Sequence, residues 1–545
     1  MKKLLLFLFT IVCFQAFSQE DAWIFLKDKP SKAAFLNNPL TMLSQRALDR
    51  RNTLNISLDE KDVPIETSYY NQLKNESTIT ILAKSKWLNA IHVQGDLNDL
   101  NNLLNKFNFI DHLEFANKSL NKNAKKSKKK IVANHYNKLK TTTSNFNYGA
   151  ADHQIKMLNG NYLHEQGLTG EGQIIAVIDA GFPNVNTLSA FKRIRDNNQI
   201  LGGYNYADRT SDYYTRSSHG THVLSSIAGY IEDEYVGTAP DAKFYLFITE
   251  ISETETVLEE TLWVEAAEKA DSLGVNVINT SLGYSTYDNP NHSHTYQDLD
   301  GKTTFISRGA EIGASRGLLL VNAAGNSGNK DWKYIGAPAD APSVITVGAV
   351  KSTQEIASFS SFGPSADGRV KPEILGQGQN PSLIDYETGL VKTTSSGTSF
   401  SSPIMAGLIA CLNGNESFLL KSASNKTSEN LNDFLKKTIY ESSNRFNNPT
   451  NQHGYGIPDF EVALNKYIAV FNVEGKQLDK LKIYPNPIEN EFFISLKDNE
   501  IKDTKIQIFN VLGKKVFEKE NLISNKVDVS FLEKGMYIMK VLNNN

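Results

Sequence analysis

The chain has 545 residues, 40% of them hydrophobic and 21% charged, with a formal net charge of −3. One hydrophobic core stops growing near about 250–300 residues, so two to four domains are expected. The composition excludes a disordered chain, and the charge balance gives no electrostatic basis for nucleic-acid binding.

The N-terminus reads Met1-Lys2-Lys3, an apolar run Leu4 to Phe14, and then Gln15-Ala16-Phe17-Ser18. A basic start, a short apolar centre and small residues at 16 and 18 predict a signal peptide over 1–18, cut after Ser18. The run is shorter than the roughly 20 residues that a span needs, and no later segment is long and apolar enough, so no membrane span is expected after cleavage. Cys13 falls in the leader behind the bulky Ile11 and Val12, which argues against a lipoprotein. Cys411 is then the one cysteine left, so no internal disulfide can form. It follows the apolar Ile404 to Ala410 and reads as a buried, inert thiol.

Residues 19–117 read as a small α+β unit. Ala22 to Leu26 and Thr78 to Leu82 are predicted strands, and Leu97, Leu100, Leu103, Leu104 and Phe107 have helical spacing. Residues 118–147 form a basic linker whose run Lys118 to Lys130 holds no acid. Like charges in a block stay solvated, which fits an exposed processing segment or a plain spacer.

Residues 148–467 alternate strand and helix signals. Ile174 to Ile178, Val275 to Ile278, Leu318 to Val321 and Ser343 to Val350 are predicted strands, with helices over Val257 to Leu273 and Ala310 to Arg316. That alternation predicts an α/β unit with a parallel sheet covered on both faces. A linker over 468–480 leads to residues 481–545, a series of short strands such as Phe492 to Leu496 and Lys505 to Phe509, read as a small β-sandwich.

Three segments of the α/β unit carry candidate chemistry. Asp179 ends the buried strand Ile174 to Ile178, and ligand sites of parallel sheets gather at such ends. His219 stands in Ser218-His219-Gly220-Thr221-His222, at the head of an apolar helix. The pair His219 and His222 has neither an intervening Glu nor a third ligand nearby, so it does not read as a metal site, and His222 reads as a packed residue. Ser399 stands in Ser396-Gly397-Thr398-Ser399-Phe400-Ser401-Ser402-Pro403, at the start of a helix whose free N–H groups stabilise negative charge. The order Asp, His, Ser matches that of subtilisin's triad.

On His-Gly-Thr-His-Val and Gly-Thr-Ser-x-Ser-x-Pro the unit is identified as similar to the peptidase domain of the subtilisin-like, or subtilase, family. Ser401 stands where alanine is commoner in the family, and Asp-Ala-Gly replaces Asp-Thr-Gly or Asp-Ser-Gly. The resemblance implies a seven-stranded subtilisin sheet with helices on both faces and a serine endopeptidase using Asp179, His219 and Ser399 as its triad. Asn322 to Gly328 resembles the oxyanion-hole loop, which makes Asn326 the side-chain donor. Ser281, Leu282 and Gly283 resemble the strand that pairs with an extended substrate, with Ala323, Ala324 and Gly325 on the other side of the pocket. No acid stands in these walls, so an apolar residue is expected before the scissile bond. Gly-x-Ser-x-Gly does not surround Ser399, which argues against an esterase. A relative without activity, serving as a binding protein, is the alternative, and all four catalytic positions are filled.

Residues 20–117 resemble the propeptide of secreted Bacteroidetes subtilases through Leu43 to Arg51 and Lys86 to Ile91. That implies an inhibitor and folding aid that is cut away at 118–147. Residues 481–545 resemble the sorting domain of type IX secretion through Tyr484-Pro485-Asn486-Pro487, Ile508 to Lys514 and Lys534 to Tyr537. The chain stops at Leu542 to Asn545, one basic strand short of that pattern, which reads as a truncated sequence or an impaired signal. The expected partners are protein or peptide substrates, the chain's own propeptide and the type IX machinery. The expected location is the cell surface or medium, reached through the periplasm of a Gram-negative bacterium. No cofactor is required for such chemistry; structural calcium is compatible with the resemblance, but no loop of EF-hand type is present.

Overall fold

The structure is a computed structural model and describes residues 19–121, 146–414, 431–472, 481–485, 488, 490–496, 504–510, 514–520, 522, 525–533, 535 and 537–543. The expected leader, most of the basic linker (122–145), residues 473–480 of the expected linker and residues 511–513 lie outside these.

The first unit is a four-stranded antiparallel sheet of β1 (Gln19–Leu26), β2 (Ile79–Ser85), β3 (Ala90–Asp96) and β4 (Ile110–Phe115), in the order β2-β3-β1-β4. Helices α1 (Gln45–Thr53) and α2 (Leu97–Lys106) belong to it. The run Ala22-Trp23-Ile24-Phe25-Leu26 is apolar throughout because both faces of the sheet are covered. Ala22, Ile24 and Leu26 join Leu100 and Leu103 of α2 in one cluster. Trp23 and Phe25 point the other way, into a cluster shared with the next unit. Alternate strand residues face opposite sides, so one strand serves two cores.

The second unit is built on seven parallel strands: β5 (Ile174–Asp179), β6 (Ile200–Asn205), β7 (Lys243–Ile248), β8 (Val277–Thr280), β9 (Leu319–Ala323), β10 (Ile345–Val350) and β11 (Ile374–Gln377). Their order is β11-β10-β9-β8-β5-β7-β6. Strand β5 is buried at every residue. Ile175 and Val177 face a cluster with α3 (His219–Ala228) and α6 (Thr398–Asn413). Ile174, Ala176 and Ile178 face one with α4 (Leu258–Leu273) and α5 (Phe305–Ser315). Two covered faces are what a parallel sheet requires. The expected helix at 310–316 starts earlier, at Phe305, because the Thr304 side chain accepts from Ser307 N and caps it.

The first unit docks on α4 and α5. Helix α1 carries Arg46, Arg50 and Arg51 to the C-terminus of α4, where carbonyls lack helical partners. Arg46 donates to Gly274 O at 3.0 Å, and Arg51 bridges Asp62 (2.9 Å) and Asp271 (2.7 Å). The β2–β3 turn brings Ser85 Oγ, Lys86 N and Trp87 N onto the buried carboxylate of Glu268, at 2.6, 3.2 and 2.9 Å. Trp23 Nε1 donates to Thr261 Oγ1 at 2.9 Å.

The C-terminal unit holds two small antiparallel sheets, one of Leu481–Tyr484, Glu491–Leu496 and Lys526–Asp528, the other of Thr504–Asn510, Lys515–Lys519 and Tyr537–Asn543. Phe492 and Ile494 of the first and Ile506 and Ile508 of the second share one core, so the sheets pack face to face. Cys411 is fully buried in α6, and burial pushes its thiol well above the usual range. Among the described residues no helix is long and apolar enough to cross a membrane.

Candidate active site

Asp179 is the last residue of β5 and is fully buried. His219 opens α3, and Gly220 beside it allows the close approach: a Cβ there would stand 2.4 Å from Gly181 O and 3.0 Å from Asp179 Cβ. His219 Nδ1 and Asp179 Oδ1 are 2.7 Å apart, and the same oxygen accepts from Ala180 N at 2.7 Å. Burial disfavours the charged imidazole, but the charge and hydrogen bond of Asp179 outweigh it, and Glu250 adds to them. His219 is therefore held above its ordinary value. The neighbouring His222 is pushed down to about 4, mainly by burial, and its ring meets Tyr386 edge-on.

Ser399 is the second residue of α6, so its N–H has no partner within the helix. Proline at 403 explains how its carbonyl is held. That carbonyl would accept from the N–H four residues on, which proline lacks. Ser281 Oγ donates to it instead, at 2.8 Å. Asn279 Nδ2 donates to Ser281 Oγ (3.1 Å), and Ser402 Oγ donates to Asn279 Oδ1 (2.9 Å), so the helix start is tied to β8. Ser399 Oγ donates to Ser281 O at 3.2 Å rather than to His219. The His219 and Phe400 rings lie 5.9 Å apart, which puts the imidazole beside this helix start.

Asn326 follows β9 in the same region. Its Oδ1 accepts from Thr398 N at 2.9 Å and from Thr398 Oγ1 at 3.1 Å. With the oxygen engaged, Nδ2 is the donor left over, 3.4 Å from where a Cβ on Gly397 would stand. Gly325 has φ +102°, which turns the loop, and its N–H donates to Thr398 Oγ1 at 3.0 Å.

The remaining predicted positions divide by exposure. Gly283 is exposed and Leu282 half-buried, with Leu282 O accepting from Asn322 Nδ2 at 3.1 Å. Ser281 is buried and faces Ser399. Ala323 is 4% exposed and Ala324 fully buried, so they back the site from beneath, whereas Gly325 is half-buried. The sequence reading missed Thr398 as the group that orients Asn326. It also missed the acids of the 250–260 segment, whose density in Thr249-Glu250-Ile251-Ser252-Glu253-Thr254-Glu255 was the available signal.

Three stretches of the chain match known families. Residues 170–457 match the subtilase family, residues 21–132 the peptidase S8 propeptide domain of Bacteroidota, and residues 482–545 a secretion system C-terminal sorting domain. The sorting domain marks the chain for export to the cell surface or beyond. The chain is 30% identical over 265 residues to subtilisin NAT of Bacillus subtilis subsp. natto, covering 47% of this chain and 60% of that protein. It is 30% identical over 265 residues to subtilisin of Bacillus pumilus, covering 47% of this chain and 82% of that protein. The chain thus spans only about three fifths of several curated relatives that it matches. The solved structure of the epidermin leader peptide processing serine protease from Staphylococcus aureus is similar in fold. It has a TM-score of 0.52 and 18% identity, covering 84% of this chain and 99% of that one. With a match over 170–457, more than half of its length, and a sheet, helix order and loop arrangement to go with it, the chain belongs to the subtilase family.

Proposed function

We propose that the chain is the precursor of an exported serine endopeptidase that works by acyl transfer to Ser399. The observation that carries this reading is the 2.7 Å contact of His219 with the buried Asp179, set beside a serine at the N-terminus of a buried helix. In the reaction the Ser399 hydroxyl leaves Ser281 O, turns about its Cα–Cβ bond and gives its proton to His219 Nε2 as it attacks the peptide carbonyl. Asp179 holds the imidazole by Nδ1 and stabilises its charged form. The oxyanion is met by the Asn326 amide and the Ser399 N–H. His219 then passes the proton to the leaving amine, and water releases the acyl group by the reverse path.

An extended substrate pairs with Ser281, Leu282 and Gly283, and an apolar side chain before the scissile bond lies between that segment and Ala323 to Gly325. The triad supplies base and nucleophile, so no cofactor enters the chemistry. Structural calcium in the peptidase unit belongs to the proposal as a stabilising ion held by oxygen ligands. The first unit is the inhibitor, released by cleavage within 118–147, and the last unit addresses the chain to type IX export.

The test is the processed enzyme with Ser399→Ala, freed of its first unit by an added protease that is then removed. Peptide hydrolysis and labelling by a fluorophosphonate should both vanish, while the unsubstituted enzyme shows both. Hydrolysis surviving in the variant, or no labelling of the unsubstituted enzyme, would overturn the assignment.

A further inference from the structure

Three acids that the triad does not use converge at its edge. Carboxylate oxygens of Glu250, Glu255 and Glu259 lie within 4.8 Å of one another. Glu259 is fully buried; its Oε1 accepts from Ile251 N at 2.8 Å, and its Oε2 has no partner in the protein. Glu250 accepts from the Tyr284 hydroxyl at 2.9 Å. Among the described residues no lysine or arginine pairs with any of the three; the nearby Arg216 is engaged with Asp208 and Glu253. Burial and the neighbouring charges push Glu259 up to about 9 and Glu255 up to about 7. A charged carboxylate buried without a counter-charge is costly, so the free protein holds protons in this cluster, which an entering cation would displace.

Its place says which cation. Thr249 N donates to Asp179 O at 3.2 Å, so Glu250 directly follows the strand end beside the triad, and its charge acts on His219. Tyr284 exchanges two backbone hydrogen bonds with Ala337, at 2.8 and 2.9 Å, which leaves its neighbour Gly283 exposed. Through the Tyr284 hydroxyl the cluster is joined to the residue that follows the segment along which the substrate lies in the reading above. Glu250 and Glu255 are half-buried, whereas Glu259 is fully buried. The same three carboxylates are a donor set for a metal ion as well, and the experiment below separates the two.

We propose that Glu250, Glu255 and Glu259 form a cation-accepting subsite that binds the ammonium or guanidinium of a substrate residue on the N-terminal side of the scissile bond. The inference rests on the peptidase reading and adds a substrate class to it: chains with a lysine or arginine a few residues before the cut. The protein carries such residues in its own sequence, at Lys125, Lys126, Lys128, Lys129 and Lys130.

The experiment compares peptides that differ only by lysine, norleucine or glutamate at each of the four positions before the scissile bond, on the processed enzyme. Lysine should raise kcat/KM over norleucine by about tenfold or more at one position. Glu255→Gln and Glu259→Gln, which keep an acceptor oxygen, should shrink that ratio, and Glu255→Lys should shift it toward the glutamate peptide. A merely structural role would lower all three rates together. Equal rates for lysine and norleucine at every position overturn the subsite and leave the peptidase intact. So does a lysine preference unchanged in both Gln variants. Calorimetric calcium binding that Glu259→Gln abolishes, in an enzyme without lysine preference, assigns the cluster to a metal and overturns the subsite. Absence of fluorophosphonate labelling separates failure of the peptidase reading itself, which takes this inference with it.

Discussion

The helix that carries Ser399 and the helix that carries Glu268 lie on opposite faces of one sheet, and different chemistry packs them. Helix α6 is buried at every residue and contains no charged side chain. Apolar surface of that kind cannot be uncovered without a large cost, about 25 cal/mol per Å². Helix α4 instead buries Glu268 and Asp271 against the arginines, amides and hydroxyl of the first unit. Buried carboxylates are stable only with partners, and they return to water readily. The comparison teaches that the seam around the candidate triad rests on apolar packing, whereas the seam with the first unit adds to an apolar patch of Trp23, Phe25 and Trp87 a set of buried polar contacts that can be rehydrated.

The largest expected effect breaks the apolar side. Asp179→Asn should lower kcat by about 10⁴-fold while the fold persists. Because Asp179 is what holds His219 above its ordinary value of 6.5, the fall in kcat/KM on acidification should lie above that value in the native enzyme and move lower in the variant. A pH–rate profile of both checks the shift. Asn326→Ala should come next, at about 10²–10³-fold in kcat with little change in KM.

The polar side should respond in affinity rather than turnover. Glu268→Ala strands the Ser85 hydroxyl and two backbone N–H groups, so inhibition of the processed enzyme by added first unit should weaken by about ten- to hundredfold. Burial raises Glu268 to about 7 in the docked state. Its contribution to docking is then full below its ordinary 4.5 and lost as the pH rises through about 7, and the Gln variant should lose that slope. The smallest effect is expected from Ser281→Ala, which removes the donor to Ser399 O. Loss of that bond should cost about 1–3 kcal/mol, read as a lower Tm of the processed domain.

Much of this was legible in the chain. The apolar runs of β5, β8, β9 and β10 announced themselves because strands covered on both faces are continuous in Val, Ile and Leu. Strands β6 and β11 did not, since Gly202-Gly203 and Gly376 dilute the pattern, and β7 went unmarked although Phe244 to Ile248 is apolar. The motifs around Asp179, His219, Ser399 and Asn326 were legible because each is local: a strand end, a helix start, a turn. The acids at 250, 255 and 259 were visible as letters but not as a site, since nothing local says that they face one another.

By itself the sequence determined the order of units, the parallel sheet and the residue types at the candidate triad. These follow from hydrophobic period, turn chemistry and short motifs, all set within a few neighbours along the chain. Tertiary structure alone decided that Ser281 replaces the N–H that Pro403 lacks, that Thr398 turns the Asn326 amide outward, and that arginines of α1 cap α4 more than 200 residues away. Such pairings join segments distant in the chain, and only packing brings them within hydrogen-bond reach.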